Sequence, residues 1–332
     1  MLPHRVGLGT FISPGRSIET ALQRVERAEA LGYESAYVTH IAARDSLTVL
    51  AAYATRTESI KLGTGVLPMY SRTPVATAQA AATIDELSGG RMVLGLGVAH
   101  RITVENWFGN TIDKPVREMR EYAGAVRAMF HGEDPPQGEK FRTHFRFMGF
   151  EPRRDIPIYI AGLSPAMLRL AGEIGDGVML WLCNPEYIRE VVVPEVTRGR
   201  EKAGKTLEGF DVVAAVPSAV TDDPDAARSM LRGELLTYFT LPFYRTMIER
   251  SGFGEEIGAF DEAMGRGDTD AARMAISDRF LDQLAGIGTA ADAEAAVKRY
   301  LDAGTTSPCL GGIPKTDFDN TLKALSGLTV DA

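Results

Sequence analysis

The amino-acid sequence predicts an α/β fold, a (β/α)8 TIM barrel with a helical insertion after the seventh strand. Short apolar runs alternate along the chain with segments of helical length, an order typical of proteins with a parallel sheet. The apolar runs are continuous rather than alternating with polar residues, which indicates strands buried on both faces. Eight such runs are each followed by helical sequence, and eight is the strand number of this barrel.

A doubly wound open sheet has the same alternation of strands and helices, so it is the alternative fold. Barrel closure is a property of strand pairing and is not visible in a sequence. At 332 residues the chain lies within the length range of one barrel domain. We therefore expect a single domain over residues 1–332, with the helical insertion at about 225–284.

The first two strand–helix units are recognised by their helices. Apolar residues recur at helical spacing over residues 17–31, where Ser17 is placed to cap the helix and Gly32 to end it. A second helical pattern covers residues 46–55. The strands before these helices are predicted at residues 6–11 and 35–39.

The stretch from residue 59 to residue 101 predicts one complete βαβ unit. Its strands cover residues 60–65 and 92–98, and both break into glycine at their carboxyl ends. Its helix covers residues 74–87, with Pro74 at a first-turn position where proline is tolerated. These strands are the third and fourth of the barrel.

The second half of the chain continues the alternation and adds two irregular segments. Residues 115–130 are predicted as a helix, and the polar residues 131–155 as an elaborated loop. The remaining strands are predicted at residues 156–162, 177–182, 210–220 and 307–310. The remaining barrel helices are predicted at residues 165–174, 185–203, 291–303 and 317–325. Residues 225–284 have a helical pattern interrupted by glycines, and we interpret them as the insertion.

Composition and charge favour small-molecule chemistry. A formal net charge of −8 argues against a dedicated nucleic-acid-binding protein, which usually has a basic surface. Cys183 and Cys309 are too few for a disulfide framework, and no CxxC pair or HExxH motif indicates a metal site. The chain starts without a signal-peptide pattern, and no apolar run approaches the ~20 residues of a membrane-spanning helix. We expect a cytoplasmic protein with reduced thiols and no membrane partner.

Residues that directly follow the strands are the candidates for chemistry, because active sites of such barrels lie at the carboxyl ends of the strands. His40 and His100 both occupy such positions, and an imidazole exchanges protons near neutral pH. A noncatalytic polar contact is the alternative for each. The candidates are Phe11, His40, Gly65, Val66, Ala99, His100, Gly162, Ser164, Trp181, Cys183 and Gly311.

Two short motifs at strand ends have both a functional and a structural interpretation. The sequence GLGVAH at residues 95–100 contains Gly-x-Gly but lacks the third glycine of a dinucleotide fingerprint, so Gly95 and Gly97 can equally serve close backbone packing. In GLSP at residues 162–165, Ser164 can cap a helix that starts at Pro165. The free N–H groups of such a helix end favour an anion such as phosphate, whereas capping alone is the alternative.

With these motifs in place, the sequence resembles the luciferase-like flavin-dependent oxidoreductases, in particular their deazaflavin F420-dependent branch. The resemblance is strongest over residues 60–98 and recurs in PIYIAG at 157–162 and GDGVML at 175–180. It implies a barrel that holds a flavin-type ring at the carboxyl ends of its strands. It also implies that Gly65–Val66 is the family's nonprolyl cis peptide bond, forming a bulge behind the ring.

The resemblance assigns site residues as well. It places Ala99 and His100 beside the cofactor, and assigns its phosphate side to four residues after the fifth strand: Ala161, Gly162, Leu163 and Ser164. Leu163 departs from the double glycine that relatives often have there. Many relatives have an acidic residue after the second strand, where this chain has Thr39 and His40. Thr39 is assigned to the cofactor site, and His40 is the preferred proton donor.

The resemblance favours F420 as the cofactor, with FMN as the alternative, and implies hydride transfer to or from a small organic substrate. Trp181 is placed in the apolar wall beside the ring, with core packing as its alternative role. Two other functions remain open: an FMN-dependent monooxygenase that uses molecular oxygen, and a noncatalytic flavin-binding protein. Relatives often form dimers, so a homodimer is expected.

Overall fold

The barrel is closed by its last strand, which pairs both with the first strand and with the seventh strand of the ring. The structure, a computed structural model, describes residues 7–328, so Val6 of the first predicted strand lies outside the described residues. The strands are β1 Gly9–Phe11, β2 Ser35–Val38, β3 Lys61–Thr64, β4 Leu67–Pro68, β5 Met92–Gly97, β6 Ile158–Ala161, β7 Gly177–Leu180, β8 Asp211–Val220, β9 Gly286–Gly288 and β10 Ser307–Gly312. Eight of them form the parallel ring β1-β2-β3-β5-β6-β7-β8-β10, which β10 closes by pairing with both β8 and β1. The TIM-barrel prediction is confirmed, and the open-sheet alternative is wrong.

Two short strands lie beside the ring. β4 pairs with the carboxyl end of β5, and β9 pairs with the carboxyl end of β8. Most predicted strands extended one or two residues beyond the observed ladder, because their last residues leave the sheet to form the loops at its carboxyl end. β10 is two residues longer than predicted, since Gly311 and Gly312 still pair with β8.

Helices surround the ring as expected from the apolar pattern. They are α1 Ile18–Ala30, α2 Ser46–Ala54, α3 Pro74–Leu87, α4 Pro115–His131, α5 Pro165–Ile174, α6 Pro185–Tyr187, α7 Val193–Lys202, α8 Pro224–Tyr238, α9 Pro242–Arg250, α10 Gly254–Gly265, α11 Thr269–Ala275, α12 Asp278–Leu284, α13 Ala290–Asp302 and α14 Phe318–Ala324. A 3-10 turn covers Met69–Ser71, and π-helical turns cover Thr103–Trp107 and Ile188–Val192. The helices α3 and α5 have the predicted bounds, since each begins with proline after a capping hydroxyl.

The predicted insertion consists of the five helices α8 to α12, between β8 and β9. Its interior is aromatic, with Phe239 in contact with Phe260 and Phe280 at centroid distances of 5.4 Å. Arg228 and Arg232 of α8 both form ion pairs with Asp278 at the start of α12. The insertion is therefore a packed helical unit, as the sequence predicted, whereas the assignment of residues 1–332 to one domain stays a prediction.

The segment between α4 and β6 is a loop that hydrogen bonds hold against α4. Glu121 accepts hydrogen bonds from the backbone N–H groups of Lys140 and Phe141. No helix or strand is found over residues 132–157 of this described segment. The loop was predicted at residues 131–155, whereas His131 still ends α4 and β6 begins only at Ile158. Across residues 7–328, no helix is both long enough and apolar enough to cross a bilayer.

The barrel interior forms its own apolar cluster, separate from the layer between strands and helices. Its buried members are Phe11, Tyr37, Val93, Tyr159, Met179, Val213, Ala215 and Cys309. Both cysteines are buried free thiols, in agreement with the sequence interpretation, and burial raises the pKa of Cys309 to about 12. This cluster fills the ring and supports the residues at its carboxyl end.

Candidate active site

The peptide bond between Gly65 and Val66 is cis, as the resemblance predicted. It lies between β3 and β4, at the carboxyl end of the barrel. Val66 is partly buried and packs on the interior cluster, and so do Ala161 and Trp181. Three of the predicted cofactor residues therefore form one apolar floor, which we call the mouth floor.

The two glycines of GLGVAH make room for this segment. A Cβ atom on Gly95 would lie 2.0 Å from the backbone carbonyl oxygen of Thr64, and one on Gly97 would lie 2.5 Å from Cγ2 of Val66. The Thr64 side chain also donates a hydrogen bond of 2.7 Å to the Gly95 carbonyl. The glycines thus allow close packing of β5 against the Val66 bulge, which is the structural role that the sequence offered for them.

Backbone conformations of high energy cluster around the mouth. Among the described residues, three non-glycine residues have positive φ: Ala99 at 63°, Leu182 at 50° and Lys315 at 62°. They follow β5, β7 and β10, all at the carboxyl ends. Conformations of this kind persist where the surroundings impose them, and functional sites are a common location.

His40 is held in a defined orientation by the start of α2. The backbone N–H of Ser46 donates to Nδ1 of His40 over 3.2 Å, so the neutral ring has its proton on Nε2. Burial lowers the pKa of His40, the Asp45 carboxylate 3.8 Å from Nδ1 opposes this shift, and Arg72 reinforces it. Arg72 is itself paired with Asp45. At neutral pH His40 is therefore an uncharged hydrogen-bond donor through Nε2.

Thr39 lies beside His40 and connects the loops after β1 and β2. Its backbone N–H donates to the Ser13 hydroxyl over 3.0 Å, and the two hydroxyl groups are 2.8 Å apart. Thr39 therefore fixes the position of the His40 segment. Its assignment to the cofactor site stays a prediction.

The turn after β6 has the geometry expected of a helix start. The Ser164 hydroxyl accepts from the Met167 N–H over 3.3 Å, and α5 begins with Pro165. Leu163 packs partly against the main core, and its carbonyl accepts from the Tyr187 hydroxyl over 2.8 Å. The departure from a double glycine is thus accommodated, because the leucine side chain packs on apolar neighbours. Phosphate binding by Ala161, Gly162, Leu163 and Ser164 stays a prediction.

His100 and Trp181 contact residues that the sequence interpretation missed. Tyr238, the last residue of α8, accepts a hydrogen bond of 3.0 Å from Nε1 of Trp181. The rings of Tyr238 and Tyr244 lie 6.3 and 6.1 Å from the His100 ring. Trp181 also contacts Phe11 edge-on at 5.4 Å. The insertion therefore completes an aromatic wall on one side of the mouth.

Chemically, this site offers apolar surface and neutral donors rather than fixed charge. Burial lowers the pKa of His100, as it does that of His40, and burial raises the pKa of Tyr238. Within residues 7–328 no group of three or more His, Cys, Asp or Glu side chains is arranged to hold a metal ion. The arrangement suits a planar, uncharged ring system on the mouth floor.

Comparisons with known proteins agree with this geometry. The chain is 34% identical over 294 residues to a 5,10-methylenetetrahydromethanopterin reductase of Archaeoglobus fulgidus, covering 86% of this chain and 87% of that relative. The fold is similar to that of the coenzyme F420-dependent tetrahydromethanopterin reductase of Methanopyrus kandleri, with a TM-score of 0.83, 24% identity, and coverage of 98% and 97%. It is also similar to an F420-dependent secondary alcohol dehydrogenase in complex with an F420-acetone adduct, with a TM-score of 0.77, 19% identity, and 98% coverage of both chains.

A family model described as luciferase-like monooxygenase matches residues 3–307. This range includes every strand from β1 to β9, the Gly65–Val66 bulge and the whole insertion. The sequence resemblance is therefore confirmed at the level of the family. The chain belongs to the luciferase-like monooxygenase family.

Proposed function

We propose that this protein is an F420-dependent oxidoreductase that transfers a hydride between the deazaflavin cofactor and a small organic substrate. The observation that carries the proposal is the mouth floor of Val66, Ala161 and Trp181, set against the cis-bonded bulge. Such a floor matches a planar tricyclic ring, which gains free energy by covering apolar surface. A relative described as a putative coenzyme F420-dependent oxidoreductase of Mycobacterium tuberculosis, 30% identical over 291 residues, favours F420 over FMN.

The residues present fit F420 at both of its ends. Val66 and Trp181 would lie against one face of the ring, and Ala99 and His100 would border it. The N-terminus of α5, with Gly162 and Ser164 before it, would receive the phosphate through backbone N–H groups. When bound, F420 supplies a carbon centre that donates or accepts a hydride.

The residues of the chain would bind the substrate, orient it and shield it from water. His40 would present its Nε2–H to the heteroatom of a substrate, as its Nδ1 is occupied by Ser46. The aromatic wall of Trp181, Tyr238 and Tyr244 would exclude water from one side of the mouth. Removing water strengthens every polar contact that remains there.

Equilibrium titration of the purified protein with F420 and, separately, with FMN tests the proposal. We expect saturable F420 binding, followed by oxidation of reduced F420 when 5,10-methylenetetrahydromethanopterin is added as the first test substrate. Saturable FMN binding without F420 binding would refute the proposal. Substrate-dependent oxygen consumption with reduced FMN would then identify a monooxygenase, and F420 binding without hydride transfer to a wide substrate panel would identify a noncatalytic binder. The homodimer and the cytoplasmic location stay predictions.

A further inference from the structure

Tyr238 belongs to the insertion and contacts candidate site residues at the carboxyl end of the barrel. It ends α8, whose preceding turns pack on the insertion core through Leu231 and Leu235. Its ring contacts His100 from the loop after β5 and Tyr244 from α9, at 6.3 and 4.9 Å. Tyr238 is only partly buried, so part of this side chain is accessible.

Among the described residues, the Tyr238 hydroxyl group accepts one hydrogen bond and donates none. Nε1 of Trp181, which has no other hydrogen to give, donates to the hydroxyl oxygen over 3.0 Å. In the described part of the chain, no acceptor is found for the hydroxyl hydrogen itself. A hydrogen bond received at the oxygen also polarises the O–H bond and strengthens the one that it donates.

The surroundings keep this hydroxyl protonated. Burial raises the pKa of Tyr238 above its ordinary value, the bond from Trp181 opposes the shift, and the negative charge of Glu234 reinforces it. Glu234 lies four residues earlier on α8, on the same helix face. Tyr238 is therefore an uncharged donor over the whole physiological pH range.

We propose that Tyr238 is the hydrogen-bond donor by which the insertion binds the heteroatom of a carbonyl, imine or aminal substrate at the mouth. The proposal rests on the proposed function, because it needs a hydride from reduced F420. As the new C–H bond forms, a bond between that carbon and the heteroatom breaks and its electron pair moves to the heteroatom. In a carbonyl or imine this is the π bond, and in the N–CH2–N bridge of 5,10-methylenetetrahydromethanopterin it is one C–N σ bond. The substrate is reduced and F420 oxidised, and the proton that neutralises the heteroatom comes from Nε2 of His40, which takes up a proton from water in turn. A preorganised donor at that atom stabilises the developing charge.

The test compares Tyr238→Phe with wild-type protein, using 5,10-methylenetetrahydromethanopterin and acetone as probes. The phenylalanine keeps the ring contacts and removes only the hydroxyl. For oxidation of reduced F420 by either probe, we expect kcat to fall about 10²-fold. Probe binding is measured separately on both proteins loaded with oxidised F420, which has no hydride to give. Here we expect Tyr238→Phe to bind the probe less tightly than the wild type by a factor below about 10, the usual cost of losing one neutral hydrogen bond. The F420 dissociation constant should not change.

Tyr300→Phe is the matched control, since Tyr300 is fully buried and its hydroxyl already donates to the Leu284 carbonyl, so it has no hydrogen to offer a substrate. It should match the wild type in rate and in probe affinity. Equal rates and affinities for Tyr238→Phe and wild type would overturn the inference while leaving the proposed function intact. Wild-type protein that binds F420 but neither binds nor reduces either probe would also overturn it. Failure of the wild type to bind F420 would refute the proposed function itself.

Discussion

Replacing Gly97 with alanine tests the packing that forms the mouth floor. The new Cβ atom would lie 2.5 Å from Cγ2 of Val66 and 3.7 Å from Cβ of Ala161. The first contact is about 1 Å shorter than an ordinary carbon–carbon contact. Val66 is β-branched and therefore has few rotamers into which it can move. We expect Gly97→Ala to lower the free energy of unfolding by about 1–3 kcal/mol, the usual cost of overpacking.

Urea unfolding of the cofactor-free protein, followed by circular dichroism, measures this cost. Gly233→Ala is the matched control, because Gly233 lies inside α8 and its added Cβ would meet no atom within 4 Å. That change should stabilise the protein by about 0.5–1 kcal/mol. A second alanine at Val66 removes the clashing methyl group, so the double variant should be more stable than the sum of the single effects predicts.

The reasoning would be refuted by either of two results. One is a Gly97→Ala protein that is as stable as the Gly233→Ala control. The other is strict additivity of the Gly97 and Val66 substitutions. Either result would mean that Gly97 does not make room for the Val66 side chain.

Three further predictions concern single side chains. His40→Ala should reduce turnover by about 10²–10⁴-fold with F420 affinity largely retained, and unchanged kcat would exclude a proton-transfer role. Because the pKa values of His40 and His100 are both lowered in the folded state, the unfolded chain takes up protons first as the pH falls below about 6.5. Unfolding free energy should therefore decrease from pH 7 to pH 5, by at most about 1.4 kcal/mol per pH unit for each histidine. A His40→Gln/His100→Gln protein whose unfolding free energy falls as steeply with pH as that of the wild type would contradict this. Tyr70→Phe removes the hydroxyl that donates to the buried carboxylate of Glu118 and should cost about 1.5–3 kcal/mol. Tyr300→Phe, whose hydroxyl donates to a neutral carbonyl, should cost less, and equal losses in urea unfolding would count against the charge-assisted bond.

The elements of the barrel could be predicted from the sequence because their signals are local. Helix α5 starts at Pro165 after a Ser164 cap and ends at the predicted residue. The strand runs were also visible, although their ends were placed too late where residues such as Val98 leave the ladder for the mouth. The cis bond at Gly65–Val66 followed from the family resemblance, not from any local pattern.

The arrangement within the site could not be predicted, because it depends on contacts between distant segments. Trp181 and Tyr238 are 57 residues apart in the chain, and no periodicity in the insertion indicates which of its aromatic residues reaches the mouth. The role of Gly97 became clear only once Val66 was placed next to it. One signal was available and was not used: Asp45 precedes α2 as a capping residue, which places its carboxylate beside His40.

The fluorescence of Trp181 tests most directly whether F420 binds on the mouth floor. The chain has two tryptophans, and Trp107 is 53% exposed on the surface, so Trp107→Phe leaves Trp181 as the only tryptophan, whose emission is excited at wavelengths that tyrosine does not absorb. We predict that titration with F420 quenches this emission saturably, with the midpoint found by equilibrium dialysis, and that excess FMN does not displace it. F420 that binds by dialysis without quenching Trp181, or emission quenched by FMN but not by F420, would contradict the account.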